Sequence, residues 1–197
     1  MIIALEGGEG CGKGTIAKWL NEEHGFIELH DPGSSPLSLQ MREILLHKTD
    51  LDMDDRQLAL AFEVCHADNL KQAMKYAANG SNVVLDRTYL SNYAHRMAKG
   101  MPMAHLKILN QLFLPETACV EKILYLACPW EARKARMLAR PGGGKDRFES
   151  RGDQFHLDVE RAYDSLAASG MAVRLDASGD VASVKRLVAA QLGLTVA

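Results

Sequence analysis

Residues 6–15 read EGGEGCGKGT, a glycine-rich stretch between a short apolar segment and a longer amphipathic one. Glycine adopts backbone conformations with positive φ and lets the chain approach a ligand closely, so such a run needs a structural reason. A strand, a glycine-rich turn and a helix, in this order, bind phosphate through backbone N–H groups at the helix N-terminus. This stretch therefore predicts an α/β fold with a phosphate site at a strand end.

The loop departs at one position from the usual pattern, which is GxxxxGK followed by Ser or Thr. Gly7, Gly12 and Lys13 fit, whereas Gly14 stands where a hydroxyl is expected and Thr15 comes one place later. The GKGT ending resembles that of adenylate kinases, which do without that hydroxyl, and Thr15 is then expected to contact an inner phosphate. The alternative is an ordinary strand-to-helix turn, which leaves five glycines within 7–14 unexplained.

Short apolar runs alternate with amphipathic ones along the rest of the chain. Strands are predicted at 2–6, 26–30, 82–86, 122–127 and 172–176, and helices at 13–23, 35–47, 54–78, 89–99, 103–113, 130–140, 152–168 and 179–192. This alternation indicates a five-stranded parallel sheet with helices on both faces. We expect a single domain over 1–197, with a short lid at about 140–150, where the charged, glycine-rich RPGGGKDR interrupts two helices.

Composition argues against several classes of function. The net charge is −2 with acids and bases spread along the chain, so a face for nucleic acid is not expected. No apolar run reaches the roughly 18 residues of a membrane span, and the first residues lack the pattern of a signal peptide. Four cysteines without CxxC spacing argue against zinc or disulfide frameworks. We therefore expect a cytoplasmic protein without nucleic-acid or membrane partners.

A second charged cluster lies where the strand at 82–86 gives way to a loop, in VVLDRTYLSNYAHR (83–96). Arg87 is suited to grip a phosphate with two parallel hydrogen bonds, which a lysine cannot do. Asp86 is suited to orient Arg87 or a magnesium-bound water. The alternative is a surface ion pair at a strand end, which contributes little.

Several stretches in the same order resemble thymidylate kinases, which convert dTMP to dTDP. HDPGSSPLSLQMREILL (30–46) matches a family segment through Pro32, Gly33, Pro36, Leu37, Arg42 and Glu43. The family's DRYxxSN-type stretch is matched by Asp86, Arg87, Ser91 and Asn92, and its lid ending DRFE by 146–149. FHLDVERAYDSLA (155–167) and the strand end Leu175, Asp176, Ala177 match further segments. The likeness covers nearly the whole chain and implies a P-loop kinase fold.

The resemblance implies ATP and Mg²⁺ as cofactors and a set of donor-side residues. The ATP-binding residues would be Gly7, Gly8, Glu9, Gly10, Cys11, Gly12, Lys13, Gly14, Thr15, Arg136, Asp176 and Ala177. Magnesium would be held near Thr15 and Asp86, through water. The first loop has no arginine, so the cations over the transferring phosphoryl group would come from the lid: Arg140, Lys145 and Arg147. Together with Lys13 and Arg87 they form the predicted catalytic set.

The resemblance also implies a nucleotide acceptor site. Arg42 and Arg87 would hold the acceptor phosphate, Glu9 would lie near its sugar and the magnesium, Phe62 would stack on the base, and Asn92 would bond the base edge. The wider set comprises Glu9, Asp31, Pro32, Arg42, Phe62, His66, Asp86, Arg87, Ser91, Asn92, His95 and Arg96. Plain core packing for Phe62 and surface exposure for Arg42 are the alternatives. The family implies a homodimer and small-molecule nucleotides as the partners.

The departures from the family pattern gather on the acceptor side. His30 and His66 stand where the family has arginines, and His95–Arg96 replace a tyrosine–glutamine pair. A neutral histidine donates or accepts a hydrogen bond, whereas arginine only donates. We expect dTMP as the substrate, with a modified pyrimidine such as 5-hydroxymethyl-dUMP, or another deoxynucleotide, as the alternative. A deoxynucleoside kinase, with Glu6 or Glu9 as its base, and a nucleotide-binding regulator are further alternatives.

Overall fold

The structure, a computed structural model, describes residues 1–48, 50–113, 115–139 and 146–196. Over this part of the chain, one sheet contains five strands: β1 (Ile2–Glu6), β2 (Ile27–His30), β3 (Val83–Asp86), β4 (Lys122–Ala127) and β5 (Val173–Asp176). The strand order is β2-β3-β1-β4-β5, and every pairing is parallel. The predicted five-stranded parallel sheet is therefore confirmed.

The helices lie where the sequence predicts them, with shifts of one or two residues at their ends. They are α1 (Lys13–His24), α2 (Pro36–Arg42), α3 (Asp55–Ala78), α4 (Tyr89–Met97), α5 (Met103–Phe113), α6 (Trp130–Leu138), α7 (Asp153–Ala168) and α8 (Val181–Leu192). The helix expected at 35–47 changes type, because a π-helix follows α2 at Glu43–His47 and Lys48 N–H donates to the Glu43 carbonyl at 3.1 Å. A 3₁₀-helix spans Pro115–Cys119.

Side chains on alternate faces of β1 pack against helices on both sides of the sheet. Ile3 and Leu5 pack in the cluster that contains Ile16 of α1 and Val188 of α8. Ile2 and Ala4 point the other way, into the cluster that contains Leu70 and Ala73 of α3. Among the described helices, none combines the length and apolar character that crossing a membrane requires.

The parallel register brings the carboxyl ends of the three strands β1, β2 and β3 to one edge of the sheet. Leu5 and His30 are both paired with Asp86, so the segments that follow these strands leave the sheet side by side. Ligands of open parallel sheets bind outside this edge. The glycine-rich loop, the 31–35 loop and the start of α4 all lie there.

Candidate active site

A cavity of about 720 Å³ opens at this edge of the sheet. Its walls contain most of the predicted site residues: Glu9, Gly10, Gly12, Lys13, Gly14, Thr15, Asp31, Pro32, Arg42, Phe62, Asp86, Arg87, Ser91, Asn92, His95 and Arg96. They also contain residues outside the predicted site set: His30, Gly33, Leu39, Leu46, Asp146, Phe148 and Glu149. The predicted residues Gly7, Gly8, Cys11, His66, Arg136, Arg147, Asp176 and Ala177 lie outside the cavity wall.

The phosphate loop between β1 and α1 requires glycine for two separate reasons. Gly10 and Gly12 have φ values of 80° and 101°, in the left-handed region. A Cβ at Gly8 would lie 2.4 Å from Nη1 of Arg133, and one at Gly10 would lie 2.7 Å from the Arg133 carbonyl oxygen. The loop therefore packs too closely on α6 to carry side chains at either position.

Lys13 is the first residue of α1, and its ammonium group folds back into the loop. Nζ donates to the carbonyl oxygens of Gly7 at 2.8 Å and Gly8 at 3.1 Å, and the residue is only 7% exposed. A cation and a helix N-terminus at one point attract an anion. Cys11 is buried beside this ammonium, with Sγ 3.7 Å from Nζ.

Asp86 lies beside Gly14, the position at which the usual loop pattern has a hydroxyl. A Cβ at Gly14 would lie 3.9 Å from Oδ2 of Asp86, and Oδ1 has no hydrogen-bond partner among the described residues. Burial opposes ionisation, but the neighbouring His30 imidazole and the charges of Lys13 and Arg87 outweigh it and lower the pKa of Asp86. An ionised carboxylate beside the phosphate loop is the hard oxygen ligand that Mg²⁺ prefers, so these residues fit the ion.

Arg87 joins the phosphate loop to the start of α4. Nη1 donates to the Gly7 carbonyl at 3.2 Å and to Ser91 Oγ at 3.0 Å, and Nη2 donates to Glu9 Oε1 at 3.0 Å. Its φ of 82° is the one positive value at a non-glycine residue in the described chain, a conformation that costs about 1–3 kcal/mol and occurs often at functional sites. Burial opposes its charge, but Glu9 raises the pKa of the guanidinium further above its usual value.

Glu9 is an anionic centre within the cavity wall. Besides Arg87, His95 Nε2 lies 3.6 Å from Oε1 and His156 Nδ1 lies 3.7 Å from Oε2. Burial alone would raise the pKa of Glu9, but His95, Arg87 and Lys13 hold it well below its usual range. Burial lowers the pKa of His95 to about 3, so its imidazole is neutral near pH 7.

Glu6, at the end of β1, is fully buried and fully hydrogen-bonded. Oε1 accepts from the backbone N–H and hydroxyl of Thr88, both at 2.7 Å, and from Ser91 N–H at 3.2 Å. Oε2 accepts from the hydroxyls of Ser91 at 2.6 Å and Tyr163 at 2.8 Å. Because these five donors fill the carboxylate, Glu6 positions the start of α4 and does not reach the cavity.

One end of the cavity is aromatic. The rings of Phe62 and Phe148 have centroids 5.7 Å apart, and the guanidinium carbon of Arg96 lies 5.8 Å from the Phe148 centroid. Arg96 is 1% exposed and donates to Asp55 Oδ1 at 2.7 Å, while burial lowers its pKa to about 10. Phe148 belongs to the DRFE motif at 146–149, and its aromatic ring in the cavity wall is a site residue that the sequence does not predict.

Asn92 has a fixed amide orientation at this end of the cavity. Nδ2 donates to the Ala59 carbonyl at 3.0 Å and to Glu63 Oε1 at 2.7 Å. Both partners are acceptors, so the NH₂ group must face α3 and Oδ1 must face the opposite way. Oδ1 is buried without a hydrogen-bond partner among the described residues.

His66 lies behind the cavity wall rather than in it. Its Nδ1 is hydrogen-bonded to Oδ2 of Asp31, and both side chains are almost fully buried. Burial opposes protonation, but Asp31 and Glu63 outweigh it and raise the pKa of His66. The ring stacks at 6.3 Å from that of Phe62, so His66 supports the residue predicted to stack on the base.

The remaining predicted residues form two groups, one around Arg42 and the other around Arg136. Arg42 lines the cavity and donates to the Pro32 carbonyl at 2.7 Å. Arg136 donates to the carbonyls of Ala177 at 3.3 Å and Gly179 at 3.2 Å, which joins α6 to the loop after β5. In that loop, Asp176 Oδ1 accepts from Ser178 N–H at 2.9 Å.

The predicted lid cations are only partly described. Arg140 and Lys145 lie outside the described residues. Arg147 donates through Nη2 to the carbonyl oxygens of Lys48 at 2.5 Å and Leu51 at 3.4 Å. Its guanidinium therefore holds the segment after the π-helix, and a part in phosphoryl transfer requires it to leave those carbonyls.

Comparison with known proteins finds a matching protein family and similar relatives. A family model described as thymidylate kinase matches residues 5–188. The thymidylate kinase of Pseudomonas putida is 34% identical over an alignment of 203 positions, which covers 98% of this chain and 94% of the relative. That of Pediococcus pentosaceus is 30% identical over 194 residues, which cover 94% and 93%.

Two solved structures share the fold. A thymidylate kinase from Candida albicans matches with a TM-score of 0.77 at 20% identity, covering 98% of this chain and 90% of its own. A deoxyadenosine kinase from M. mycoides, with dATP bound, matches with a TM-score of 0.67 at 19% identity, covering 98% and 100%.

Proposed function

The chain belongs to the thymidylate kinase family, and on that premise we propose that it phosphorylates dTMP to dTDP. Family membership makes it a nucleoside monophosphate kinase that uses ATP with Mg²⁺. One observation carries the choice of reaction: two sets of anion-binding groups open into one cavity. The phosphate loop with Lys13 forms one set, and Arg87 with Arg42 forms the other.

The proposed reaction needs positioning and charge neutralisation rather than covalent catalysis. Lys13 and the loop N–H groups bind the β- and γ-phosphates of ATP, and Arg87 with Arg42 holds the acceptor phosphate in line. An oxygen of that phosphate attacks the γ-phosphorus while the bond to the β-phosphate oxygen breaks. Magnesium, when bound near Asp86, neutralises charge on the transferring group.

The occupied carboxylate of Glu6 supports a monophosphate acceptor over a nucleoside. A deoxynucleoside kinase needs a carboxylate that removes a proton from a sugar hydroxyl, whereas an ionised phosphate needs no base. Glu6 already accepts five hydrogen bonds and lies outside the cavity wall. Glu9 is ionised, but it is paired with Arg87 at 3.0 Å.

The fixed amide of Asn92 supports a base with an N–H group on its pairing edge. Asn92 Oδ1 accepts only, so it matches N3–H of thymine or uracil and opposes the unprotonated N3 of cytosine. A buried acceptor left without a donor costs more than a weak hydrogen bond gains. We therefore propose that the site prefers thymine and uracil nucleotides, including 5-substituted ones, among the pyrimidines.

The proposal is tested with a panel of acceptors: dTMP, dUMP, 5-hydroxymethyl-dUMP, dCMP and thymidine, each with ATP and Mg²⁺. We expect kcat/KM for dTMP to exceed that for dCMP by about 10²-fold, near the upper end of what one unsatisfied buried polar group costs. Thymidine should give no product. Chromatographic separation of the diphosphates measures the outcome, and faster turnover of 5-hydroxymethyl-dUMP than of dTMP would favour the modified-pyrimidine alternative.

Asn92→Leu should reduce the ratio of kcat/KM for dTMP to that for dCMP, because leucine fills a similar volume but has no hydrogen-bond acceptor. We expect kcat/KM for dTMP to fall about 10- to 100-fold, as for the loss of one buried hydrogen bond at the base, while dCMP changes little. Asn79→Leu, at the exposed end of α3, is the matched control. An unchanged ratio of dTMP to dCMP in Asn92→Leu would show that Asn92 does not read the base.

His30 predicts a pH dependence of acceptor binding. It lines the cavity with Nδ1 3.8 Å from Asp86 Oδ2 and Nε2 3.5 Å from Glu28 Oε1. The nearby Asp86 carboxylate raises the pKa of His30 above its usual 6.5, whereas burial and the charge of Arg42 oppose this. The positive charge is therefore present below this raised pKa and is lost as pH rises through it.

The KM for dTMP should accordingly rise as the pH increases above about 6.5, by roughly threefold for one partly exposed charge near a phosphate. His30→Gln should have a higher KM at pH 6.5 and a flatter profile. The difference between the two profiles isolates His30, since titration of the dTMP phosphate is common to both. Parallel profiles would contradict this role.

Two parts of the family pattern remain predictions. The lid cations Arg140, Lys145 and Arg147 are expected to close over the transferring group. The homodimer is expected from the family, and Leu60, Val64 and Met74 of α3 expose apolar side chains that such a contact would bury.

A further inference from the structure

Arg133 of α6 is a buried cation that no feature of the sequence singles out. It is 1% exposed, and all three of its nitrogens are hydrogen-bonded. Nε donates to the Cys128 carbonyl at 2.8 Å, Nη1 to the Glu9 carbonyl at 3.2 Å, and Nη2 to the His156 carbonyl at 3.3 Å and Glu160 Oε2 at 3.2 Å. One side chain thus joins the residue after β4, the phosphate loop and α7.

The hydrogen-bond partners of Arg133 are mostly backbone carbonyls, so Arg133 binds the main chain more than it forms an ion pair. Burying an arginine is costly unless each donor is satisfied. Three of the four acceptors here are carbonyl oxygens, and only Glu160 carries a charge. The guanidinium also lies 5.1 Å from the ring centroid of Trp130 in the same helix. The arrangement fixes the backbone of three separate segments at once.

The bond to Glu9 bears directly on the phosphate loop. In a trans peptide the carbonyl and the next N–H point in opposite directions. Because the Glu9 carbonyl points to Arg133, the N–H of Gly10 points away from α6. Gly10 lines the cavity, so this N–H is directed to the side on which the phosphates would bind.

The loop is also shaped around Arg133. A Cβ at Gly8 would lie 2.4 Å from Nη1 and 2.7 Å from the guanidinium carbon. A Cβ at Gly10 would lie 2.7 Å from the Arg133 carbonyl. Contact with Arg133 therefore explains why both of these loop positions are glycine.

We propose that Arg133 is a positioning residue for the phosphate donor, which acts by holding the Glu9 carbonyl so that the phosphate loop keeps its N–H groups directed into the cavity. This rests on the proposed function, since it assigns the loop to ATP. The expected consequence is a larger loss of donor affinity than of acceptor affinity, because the hydrogen bonds of Arg133 among the described residues reach Cys128, Glu9, His156 and Glu160 and not the aromatic end.

Arg133→Met and Arg133→Lys test this. We measure the dissociation constant of the Mg²⁺ complex of a non-hydrolysable ATP analogue by calorimetry, and the KM values for ATP and dTMP by steady-state kinetics. Arg133→Met should weaken analogue binding about 10- to 100-fold, the scale for losing a hydrogen bond to a charged group, and raise the KM for ATP in parallel. The KM for dTMP should stay within about twofold. Arg133→Lys should lie between, since its ammonium cannot reach several carbonyls at once.

Two control variants separate positioning from general stability. Arg174→Met removes an exposed arginine that pairs with α7 through Asp164 at 2.9 Å and lies outside the cavity wall, and it should leave both KM values unchanged. Glu160→Gln removes the charged partner and keeps the carbonyl bonds, so its effect on the KM for ATP should be under about twofold. If Arg133 only stabilises the fold, Arg133→Met should have a lower melting temperature, but below that temperature it should bind the ATP analogue as tightly as the wild type.

A suppression experiment keeps the test decisive if Arg133→Met does not fold. Gly8→Ala should weaken analogue binding, because its Cβ must displace the guanidinium. The double variant Gly8→Ala/Arg133→Lys should bind the ATP analogue no more weakly than Arg133→Lys alone. Additive losses, or unchanged analogue affinity in Gly8→Ala, would overturn the proposal. If the wild-type chain binds no ATP analogue, the proposed function fails first and this inference with it; if it binds and Arg133→Met binds equally well, only the inference fails.

Discussion

Replacement of Arg87 by methionine should reduce kcat/KM for dTMP about 10³-fold, the scale for removing a preorganised charged donor at a reacting phosphate. The guanidinium is fixed by Gly7, Ser91 and Glu9 and lines the cavity, so it needs no reorganisation when the acceptor binds. Arg87→Lys keeps the charge but not the two-pronged geometry, and should lose about 10²-fold. Steady-state kinetics with varied dTMP measure both.

Stability must be separated from catalysis in this variant. Methionine leaves the buried Glu9 carboxylate without its partner, which costs roughly 3–5 kcal/mol for a buried pair. Adding Glu9→Gln removes that charge, so the double variant should recover most of the lost melting temperature without recovering turnover. Arg161→Met, on the exposed face of α7, is the control. Turnover that returns together with stability would mean that Arg87 acts through folding alone.

Lys13→Met should be the second large effect, with kcat/KM for ATP reduced by about 10²–10³-fold. Its ammonium is the cation inside the phosphate loop, held by the carbonyls of Gly7 and Gly8. In the complex this charge moves onto the phosphates, so we expect a lower kcat as well as a higher KM for ATP. The KM for dTMP should change less.

Lys18→Met is the matched control for Lys13, because Lys18 lies on the same helix with its ammonium exposed and paired with Glu22 at 3.7 Å. It should retain turnover within about twofold, as expected for a surface ion pair. A Lys13→Met enzyme with a raised KM for ATP and normal kcat would assign the lysine to ground-state binding only.

The parts of the site that the sequence predicts are those encoded over short distances along the chain. The phosphate loop and the DRTYLSN segment each place their residues within one strand–loop–helix unit, so spacing and residue type suffice. The five strands follow from short apolar runs, and the structure confirms all five to within one residue. Gly14 and Asp86 come together because β1 and β3 are neighbours, an order that periodicity does not reveal.

The residues that escaped prediction act across long sequence separations. Arg133 reaches Glu9 from 124 residues away, and in the sequence it is one of several charges on a polar helix. His66 belongs to the predicted acceptor set, but its bond to Asp31, 35 residues away, and its position outside the cavity wall do not follow from the sequence. Phe148, in the segment predicted as the lid, lines the cavity because its ring packs against that of Phe62, 86 residues away. Such contacts depend on tertiary packing, which no local pattern encodes.

The central claim is that one cavity holds two nucleotides phosphate to phosphate, one on the loop around Lys13 and the other at Arg87. A compound that joins adenosine and thymidine through five 5′-linked phosphates would occupy both halves at once. Calorimetry should show it binding at least about 10²-fold more tightly than the ATP analogue, because the second contact is then intramolecular. Arg87→Met and Lys13→Met should each remove most of that gain. Binding no tighter than that of the ATP analogue, or a gain that survives Arg87→Met, would contradict the account.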